Sequence, residues 1–279
     1  MTKLIVFTDL HITHEGGRII GLDPVARLRN GIQHVNRHHP DAARVIFTGD
    51  LAHRGDAASY ARLRDLLSEL HCPYSLLVGN HDHRERFLDC FPDCPVDANG
   101  FVQQAIDVDG ARLVLLDTLF APPYEFPASY SGYLCGQRLA WLDQQLQEAA
   151  AHRPVRPVLV FMHHPPHATG FAGMDAIALR NGEAFYEVLN RHGNVRHIVA
   201  GHVHRTISGS SHGISFSVFK SPCHQQPMNF GAMDTSLSVD EPAAYGIIFI
   251  QPDGVLVHTE DYEISQSGVV GDPSVHGRD

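Results

Sequence analysis

The 279-residue sequence lacks three features, and each absence excludes a class of protein. Lysine and arginine form no block, and the formal net charge is -10, so the chain has no basic groove of the kind that neutralises nucleic-acid phosphates. No apolar stretch approaches the length of a membrane span. The five cysteines contain no Cys-x-x-Cys pair, which argues against a zinc knuckle. We expect a small-molecule substrate, with no nucleic-acid partner and no membrane partner.

The cysteines and the N-terminal residues also bear on location. An odd number of cysteines without paired spacing is typical of reduced thiols in a cytosolic protein. The apolar run near the N-terminus, residues 4–7, is much shorter than the apolar region of a signal peptide. We therefore expect the protein to be cytoplasmic.

Histidine is the residue that the sequence has in unusual number, 21 in all. It is also the commonest metal ligand in proteins. Several of these histidines follow short apolar runs that are typical of buried strands. Five such runs end in polar motifs, which are Asp9-Leu10-His11, Gly49-Asp50, Gly79-Asn80-His81-Asp82, His163-His164 and Gly201-His202-Val203-His204. Because open α/β sheets bind ligands at the carboxyl ends of their strands, we expect these side chains to share one site.

The order of predicted elements indicates an α/β fold. In the first third of the chain, strands alternate with helices that begin at Asp23-Pro24 and at Asp56, which predicts a mainly parallel sheet. In the middle, Asp109-Gly110 between two apolar runs is a strong hairpin signal and predicts a second, more antiparallel sheet. Residues 120–134 and 220–242 have no periodicity and are predicted to be loops.

The domain organisation is predicted to be simple. The sequence shows neither an internal repeat nor a low-complexity linker, so we expect one domain over residues 1–263 and a frayed tail over residues 264–279. Within the domain, residues 220–242 are long enough to cover a site as a lid or to reach a partner subunit as an oligomerisation arm. The sequence does not distinguish these two roles.

Each strand-end motif is weak evidence when it is taken alone. Asp9 and His11 could belong to an ordinary turn, and Asp50 could simply follow a strand. His202 and His204 lie two residues apart, which in extended backbone directs both imidazoles to one side. Together, however, the motifs supply two carboxylates, one amide and four imidazoles at successive strand ends. This combination predicts a site for two metal ions.

In this order, the motifs Asp-x-His, Gly-Asp, Gly-Asn-His-Asp, His and Gly-His-x-His resemble those of the calcineurin-like metallophosphoesterases. Two further matches resemble the branch of class III cyclic nucleotide phosphodiesterases and glycerophosphodiesterases: Gly49-Asp50-Leu51 with Gly55 and Tyr60, and Met162-His163-His164-Pro165-Pro166. The resemblance extends from the first strand to about residue 261. It implies a four-layer α/β/β/α sandwich of two mixed sheets, with the metal site on loops at one end.

The resemblance also implies roles for the motif residues. One metal ion would be held by Asp9, His11 and His204, the other by Asn80, His163 and His202, and Asp50 would bridge the two. Two cations about 3.5–4 Å apart can clamp the attacking and leaving oxygens of a phosphate displacement, and a hydroxide shared between them would be the nucleophile. Imidazole and carboxylate ligands without thiolate suit Mn, Fe, Zn or Co, and the sequence does not choose among them.

His81 is implied to be catalytic, because the matching imidazole of the family faces the substrate phosphate. It would protonate the leaving alkoxide or stabilise transition-state charge. The alternative is that His81 only orients a neighbouring ligand through a hydrogen bond. His164 is expected to support a ligand or to fill the core. Four other histidines either line the pocket or are solvated loop residues: His53, His83, His167 and His224.

The predicted function is hydrolysis of small-molecule phosphodiesters, with 3′,5′-cyclic nucleotides and glycerophosphodiesters as the leading substrates. The alternatives within the fold are a phosphomonoesterase, a protein phosphatase and a DNA nuclease. Protein phosphatases usually carry Gly-Asp-x-x-Asp-Arg-Gly, whereas residues 49–55 read Gly-Asp-Leu-Ala-His-Arg-Gly. A catalytically silent binding scaffold is the alternative from another class. We also expect a homo-oligomer, as in relatives of this branch.

Overall fold

The structure is a computed structural model that describes residues 1–122, 124 and 128–264. The predicted tail therefore lies outside the described residues from residue 265 onward. Eleven strands occur in the described part: β1 Thr2–Phe7, β2 Arg44–Thr48, β3 Tyr74–Leu77, β4 Gln104–Val108, β5 Ala111–Leu116, β6 Val158–Met162, β7 Val195–Ala200, β8 Ile207–Ser211, β9 Ile214–Val218, β10 Ala244–Ile250 and β11 Val255–Asp261.

The helices of the described part follow the predicted pattern in most places. They are α1 Pro24–His38, α2 Ala57–Leu67, α3 Arg84–Cys90, α4 Gly136–Ala151, α5 Ala172–Asp175 and α6 Gly182–His192, with a 3-10 turn at Ala128–Tyr130. Asp23 caps α1 by accepting hydrogen bonds from the backbone N–H groups of Val25 and Ala26. Asp56 caps α2 in the same way through Ser59. Among the described residues, no helix combines the length and the apolar character that crossing a bilayer requires.

The strands form two mixed sheets. The first sheet has the order β11-β10-β1-β2-β3, and β1, β2 and β3 run parallel as predicted. The second has the order β4-β5-β6-β7-β9-β8. In that sheet β5, β6, β7 and β9 are parallel, so the prediction of a more antiparallel second sheet was wrong. The hairpin signals specify only local pairing, whereas α4 and α6 are crossover connections that return the chain to make parallel pairs.

Three apolar clusters separate the layers. The central cluster lies between the two sheets and includes Leu4, Ile46, Phe161 and Phe219. A second cluster joins the first sheet to α1, α2 and α3, and a third joins the second sheet to α4, α5 and α6. The predicted four-layer α/β/β/α sandwich is therefore confirmed. Because β1, β2 and β6 are covered on both faces, these strands are largely apolar, and polar residues lie near or just beyond their ends.

Two elements were not predicted, because neither has an apolar pattern long enough to indicate a strand or a helix. β8 carries the sequence Ile-Ser-Gly-Ser-Ser, which has no apolar alternation, and it pairs only with β9 at the sheet edge. α5 is a single turn inside a loop. Residues 220–242 are largely irregular as predicted, and a two-way backbone pair between Gln225 and Val239 closes the base of their central loop. This loop, residues 226–238, is called the wall loop below.

Candidate metal centre

The predicted ligands all lie at the same edge of the two sheets. Each follows the carboxyl end of a parallel strand, namely β1, β2, β3, β6 or β7. The structure brings the full set together in the interior, and no member exposes more than 8% of its surface: Asp9, His11, Asp50, Asn80, His163, His202 and His204. The strand-end positions that the sequence indicated are therefore neighbours in space.

The ligand atoms converge as two groups that meet at Asp50. On one side, His11 Nε2 lies 3.0 Å from His204 Nε2, and His204 Nε2 lies 3.4 Å from Asp9 Oδ1. Asp50 Oδ2 is 3.7 Å from His11 Nε2 on that side. On the other side, Asp50 Oδ1 is 3.4 Å from His163 Nε2. Asp50 thus directs one oxygen toward each group.

The second group contains two neutral ligands beside His163. Asn80 Oδ1 lies 3.0 Å from His163 Nε2. The His202 ring centre is 5.2 Å from that of His163, and within the described part of the chain the buried His202 Nε2 has no hydrogen-bond partner. A buried nitrogen without a partner is costly unless something else binds it. Together with the close approach of His11 and His204, this donor set fits metal cations.

Hydrogen bonds to the far side of the imidazoles fix which nitrogen faces the centre. His163 Nδ1 donates to the carbonyl oxygen of Thr48 at 2.9 Å, and His204 Nδ1 donates to that of His224 at 2.9 Å. His11 Nδ1 lies 3.3 Å from His53 Nδ1. In each ring Nε2 is left for the centre, and this outer hydrogen bonding is typical of metal-ligating histidine.

The chain reaches these positions by turning sharply at the strand ends. Five of the seven residues have positive φ angles between 47° and 73°, which are Asp9, His11, Asp50, His202 and His204. Such angles are uncommon for residues other than glycine. Gly49 precedes Asp50 with φ of 104°, and a Cβ there would lie 2.7 Å from His163 Nδ1. Only glycine allows the two loops to approach so closely.

The electrostatics of the centre favour positive charge. Burial by itself raises the pKa of the Asp50 carboxyl, but the imidazoles of His163 and His81 outweigh it and hold this pKa well below its usual range. In return, although burial opposes it, Asp50 raises the pKa of His163 to about 9. Likewise, against the effect of burial, His204 lowers the pKa of Asp9, and Asp9 raises the pKa of His204. The buried carboxylates therefore attract cations, whether protons or metal ions.

His81 faces the pocket beside the ligand groups. Its backbone N–H donates to Asp50 Oδ1 at 2.8 Å, and its Nδ1 donates to the backbone carbonyl oxygen of His53 at 2.9 Å. The ring packs edge-on against His11 with centres 4.7 Å apart. Nε2 of His81 is left for a ligand in the pocket.

The pocket above the centre has a volume of about 330 Å³. His53, His81 and His224 line it together with the ligand groups. Apolar residues from three separate segments also line the pocket: Ile19, Ile20, Met174, Ile177 and Leu237. The wall loop contributes Gln226 and residues 235–238 to the lining. Backbone hydrogen bonds from Ala172 and Gly173 to the carbonyls of Phe230 and Ala232 hold this loop against α5.

The remaining predicted candidates have other surroundings. His164 is fully buried, with Nδ1 at 2.8 Å from Thr118 Oγ1 and Nε2 at 3.1 Å from the Tyr130 carbonyl oxygen. His83 stacks on Tyr124 with ring centres 4.1 Å apart. His167 lies within hydrogen-bonding distance of the Tyr186 hydroxyl, at 2.7 Å, away from the pocket.

Asp82 has a role in the structure that the sequence did not reveal. It accepts hydrogen bonds from the backbone N–H groups of Leu51, Ala52 and Gly79 and from the Tyr60 hydroxyl, all at 2.9 to 3.0 Å. These bonds tie the Asp50 loop to the Asn80 loop. Burial and the charge of Asp50 nevertheless raise the pKa of Asp82 to about 6. The position of Asp82 at the end of Gly-Asn-His-Asp was the available signal.

Replacing Asp82 with alanine is expected to lower the free energy of unfolding by at least about 3 kcal/mol, because several buried donors lose their acceptor. The measurement is urea unfolding of the metal-free protein, so that metal loss does not contribute. Asp82→Asn keeps one acceptor oxygen and should lose less. A loss below about 1 kcal/mol for Asp82→Ala would show that the two loops hold their positions without it.

The chain was compared with known proteins and structures. Residues 2–206 match the family model described as calcineurin-like phosphoesterase. A probable cyclic nucleotide phosphodiesterase of Rhodopseudomonas palustris is 41% identical over 256 residues, covering 92% of this chain and 91% of that protein. A glycerophosphodiester phosphodiesterase, GpdQ, of Enterobacter lignolyticus is 30% identical over 79% of this chain and 77% of its own length.

The structural comparison gives the same architecture. A dimetal phosphatase from Danio rerio superposes with a TM-score of 0.69 at 17% identity, covering 92% of this chain and 95% of that one. At this level of identity the likeness concerns the fold alone. It agrees with the two mixed sheets and their flanking helices described above.

Proposed function

The chain belongs to the calcineurin-like phosphoesterase family, and from this premise we propose that it hydrolyses phosphodiesters of small molecules at a centre of two metal ions. The curated relatives are named as cyclic nucleotide and glycerophosphodiester phosphodiesterases. The observation that carries the proposal is the position of Asp50, whose two carboxylate oxygens face two separate ligand groups. A bridging carboxylate of this kind suits a pair of cations.

The proposed ligands form the same two groups that the interatomic distances define. Asp9, His11 and His204 would hold one ion, Asn80, His163 and His202 the other, and Asp50 both. Imidazole, carboxylate and amide donors suit Mn, Fe, Zn or Co. When bound, the two ions would supply positive charge for the phosphate oxygens and activate water for attack.

His81 would donate a proton to the leaving oxygen of the substrate. Its Nδ1–H is engaged by the His53 carbonyl, so Nε2 is the atom that can deliver a proton into the pocket. Asp50 holds the His81 backbone in place through the N–H hydrogen bond. This hydrogen bond fixes the position of His81 relative to the ligand groups.

The pocket wall favours cyclic nucleotides over glycerophosphodiesters. Met174, Ile177 and Leu237 line the same pocket as the ligand groups, and their apolar surface would contact the base or sugar of a nucleotide. A glycerol group offers little apolar area to the same wall. The leading substrate in our proposal is therefore a 3′,5′-cyclic nucleotide.

The test is a substrate panel with the metal-loaded enzyme. Cyclic AMP, glycerophosphocholine and nitrophenyl phosphate are assayed with added Mn²⁺, before and after removal of metal with a chelator. We expect cyclic AMP to be cleaved fastest and all activity to depend on the metal. Cleavage of the monoester alone would support a phosphomonoesterase, whereas an inactive chain with two bound ions would support the binding scaffold.

The wall loop has two parts, one that lines the pocket and suits a role in substrate choice, and one that is exposed and suits an oligomer contact. Thr235 to Ser238 line the pocket, while Met228, Phe230 and Met233 are more than half exposed. We propose that residues 235–238 select the substrate and that the exposed tip contacts another copy in a homo-oligomer. The backbone pair of Gln225 with Val239 would hold the base of the loop in both roles.

Replacing Leu237 with alanine should raise KM for cyclic AMP by about tenfold, the equivalent of about 1.4 kcal/mol of apolar contact. The effect on glycerophosphocholine should be smaller, because its glycerol group uses less of the apolar wall. Met228→Ala, in the same loop but outside the pocket, is the matched control and should leave KM unchanged. Equal KM values for wild type and Leu237→Ala would refute a role of this wall in recognition.

Shortening the wall loop between residues 226 and 238 separates its two proposed roles. If both proposed roles hold, the shortened protein should show altered relative rates for the panel together with a lower molecular mass by size-exclusion chromatography. Altered rates at unchanged mass would refute the oligomer contact, and an unchanged panel with a lower mass would refute the role in substrate choice. Metal content should stay normal in both cases, because the proposed ligands lie outside the loop.

We also propose that the protein is cytoplasmic and that it forms one catalytic domain. All five cysteines lie in the described part of the chain and are free, which supports a reducing cytoplasm. The apolar cluster shared by both sheets supports one catalytic domain over residues 1–263. The net charge of -10 supports a small-molecule substrate over a nucleic acid.

A further inference from the structure

A tight turn beside the pocket holds an isoleucine in a backbone conformation that suits it poorly. In residues 19–22, Ile19 and Leu22 exchange two backbone hydrogen bonds, of 3.1 and 2.8 Å. The two central residues, Ile20 and Gly21, have φ angles of 45° and 85°. Positive φ at both central positions is the pattern of a type I′ turn, where Asn-Gly and Gly-Gly are preferred. A β-branched residue with positive φ is an outlier that calls for an explanation.

Packing within the protein does not explain this choice of residue. Ile20 is 50% exposed, and the three apolar clusters described above do not include it. A Cβ added at Gly21 would meet no described atom within 4 Å, so the tip of the turn is open on that side. The isoleucine therefore strains the backbone and recovers little of that cost through burial. Asparagine would form the same turn at a lower cost.

The surroundings of Ile20 point instead to the site. Ile20 lines the same pocket as His81 and the ligand groups. In the part of the chain that the structure describes, seven non-glycine residues have positive φ, and five of them are proposed metal ligands. Ile20 is the sixth, and the seventh, His212, lies at the tip of the β8–β9 hairpin outside the pocket. Backbone strain of this kind is concentrated at active sites and ligand clamps.

We propose that Ile20 is a specificity-determining residue, whose side chain contacts the apolar part of the organic group of the substrate. This inference rests on the proposed function, because it requires a phosphoester bound at the metal centre. With the phosphate at the ligand groups, the nucleoside of a 3′,5′-cyclic nucleotide would cover part of the exposed Ile20 side chain. The turn is closed by two hydrogen bonds and a β-branched side chain has few rotamers, so binding would order little additional structure.

The test is Ile20→Asn, which introduces a residue that accepts positive φ but offers no apolar surface. We expect the unfolding temperature of the metal-free protein to rise by about 2–4 °C, because the strain is relieved. We also expect KM for cyclic AMP with the Mn²⁺-loaded enzyme to rise by about tenfold at nearly unchanged kcat. An unchanged KM would overturn the proposal. An unfolding temperature that does not rise would also overturn it, because Ile20 would then not be strained.

Two further variants isolate the contribution of the side chain. Ile20→Leu keeps an apolar side chain and should keep KM near the wild-type value. The matched control is Val155→Asn, since Val155 is 51% exposed, lies outside the pocket and is not among the residues with positive φ. It should change neither KM nor the unfolding temperature in the way that Ile20→Asn does. An equal rise of KM in Ile20→Asn and Val155→Asn would overturn the proposal.

The wild-type substrate panel keeps this inference separate from the proposed function. If wild type cleaves nitrophenyl phosphate and not cyclic AMP, the proposed substrate is wrong. The KM values of the Ile20 variants are then measured with the nitrophenyl ester, whose ring also offers apolar surface to the pocket. A higher KM in Ile20→Asn than in Ile20→Leu would still support the contact, and equal values would refute it.

Discussion

Replacing Asp50 with alanine is expected to remove most of the bound metal and nearly all of the activity. Asp50 places one oxygen within 3.7 Å of His11 Nε2 and the other within 3.4 Å of His163 Nε2, so both ligand groups lose a donor in one substitution. The buried imidazoles also lose the negative charge that draws cations into the centre. Among the described residues proposed as ligands, Asp50 is the carboxylate whose two oxygens face the Nε2 atoms of different groups.

Elemental analysis and the cyclic AMP assay measure the two effects of this substitution. Asp50→Asn is the informative control, since it keeps the size of the side chain and an acceptor for the His81 N–H but removes the charge. We expect it to resemble Asp50→Ala in metal content while unfolding at a temperature closer to wild type. Normal turnover with two metal ions per chain in Asp50→Ala would exclude a bridging role.

Replacing His81 with alanine should separate catalysis from metal binding. The side chain faces the pocket and is held by the His53 carbonyl, and it does not belong to either ligand group. We expect near-normal metal content and a rate lower by about a hundredfold or more, the usual scale for a general acid or a charge-stabilising group. The matched control is His83→Ala, whose imidazole stacks on Tyr124 outside the pocket.

A series of leaving groups distinguishes the two chemical roles of His81. If the imidazole protonates the leaving oxygen, the loss of rate should shrink for nitrophenolate, which leaves readily without a proton. An equal loss for good and poor leaving groups would indicate stabilisation of transition-state charge instead. A loss of bound metal in His81→Ala would show that the residue supports the centre rather than the reaction.

The convergence of the proposed ligands was predictable because the information is local. A polar residue directly after a buried parallel strand must lie at the carboxyl edge of the sheet, so Asp9, Asp50 and Asn80 could be placed together without any knowledge of the loops. The pattern of apolar residues also indicated α1 and α2 with their caps. These features depend on a few neighbouring residues in the chain.

The features that the sequence did not reveal depend on distant contacts. The sequence places Asp82 in the Gly-Asn-His-Asp motif, but the role of its carboxylate depends on Leu51 and Tyr60, which only folding brings to it. The contribution of Leu237 to the pocket requires the wall loop to pack on α5, more than sixty residues earlier in the chain. The parallel pairing of β7 with β9 likewise depends on the path of the chain between these strands, which no local sequence pattern indicates.

The left-handed backbone at the strand ends also bears on attempts to make the protein more heat-resistant. Each non-glycine residue held in this conformation costs roughly 1–3 kcal/mol, and Asp9, His11, Asp50, His202 and His204 all hold it. A selection for thermal tolerance alone would therefore favour glycine or asparagine at these five positions, since such residues relax the strain. The selected variants would be more stable but inactive, because these five residues are proposed metal ligands. Directed evolution of this chain thus has to select for turnover and for heat resistance together, because the metal centre is where the two demands oppose each other.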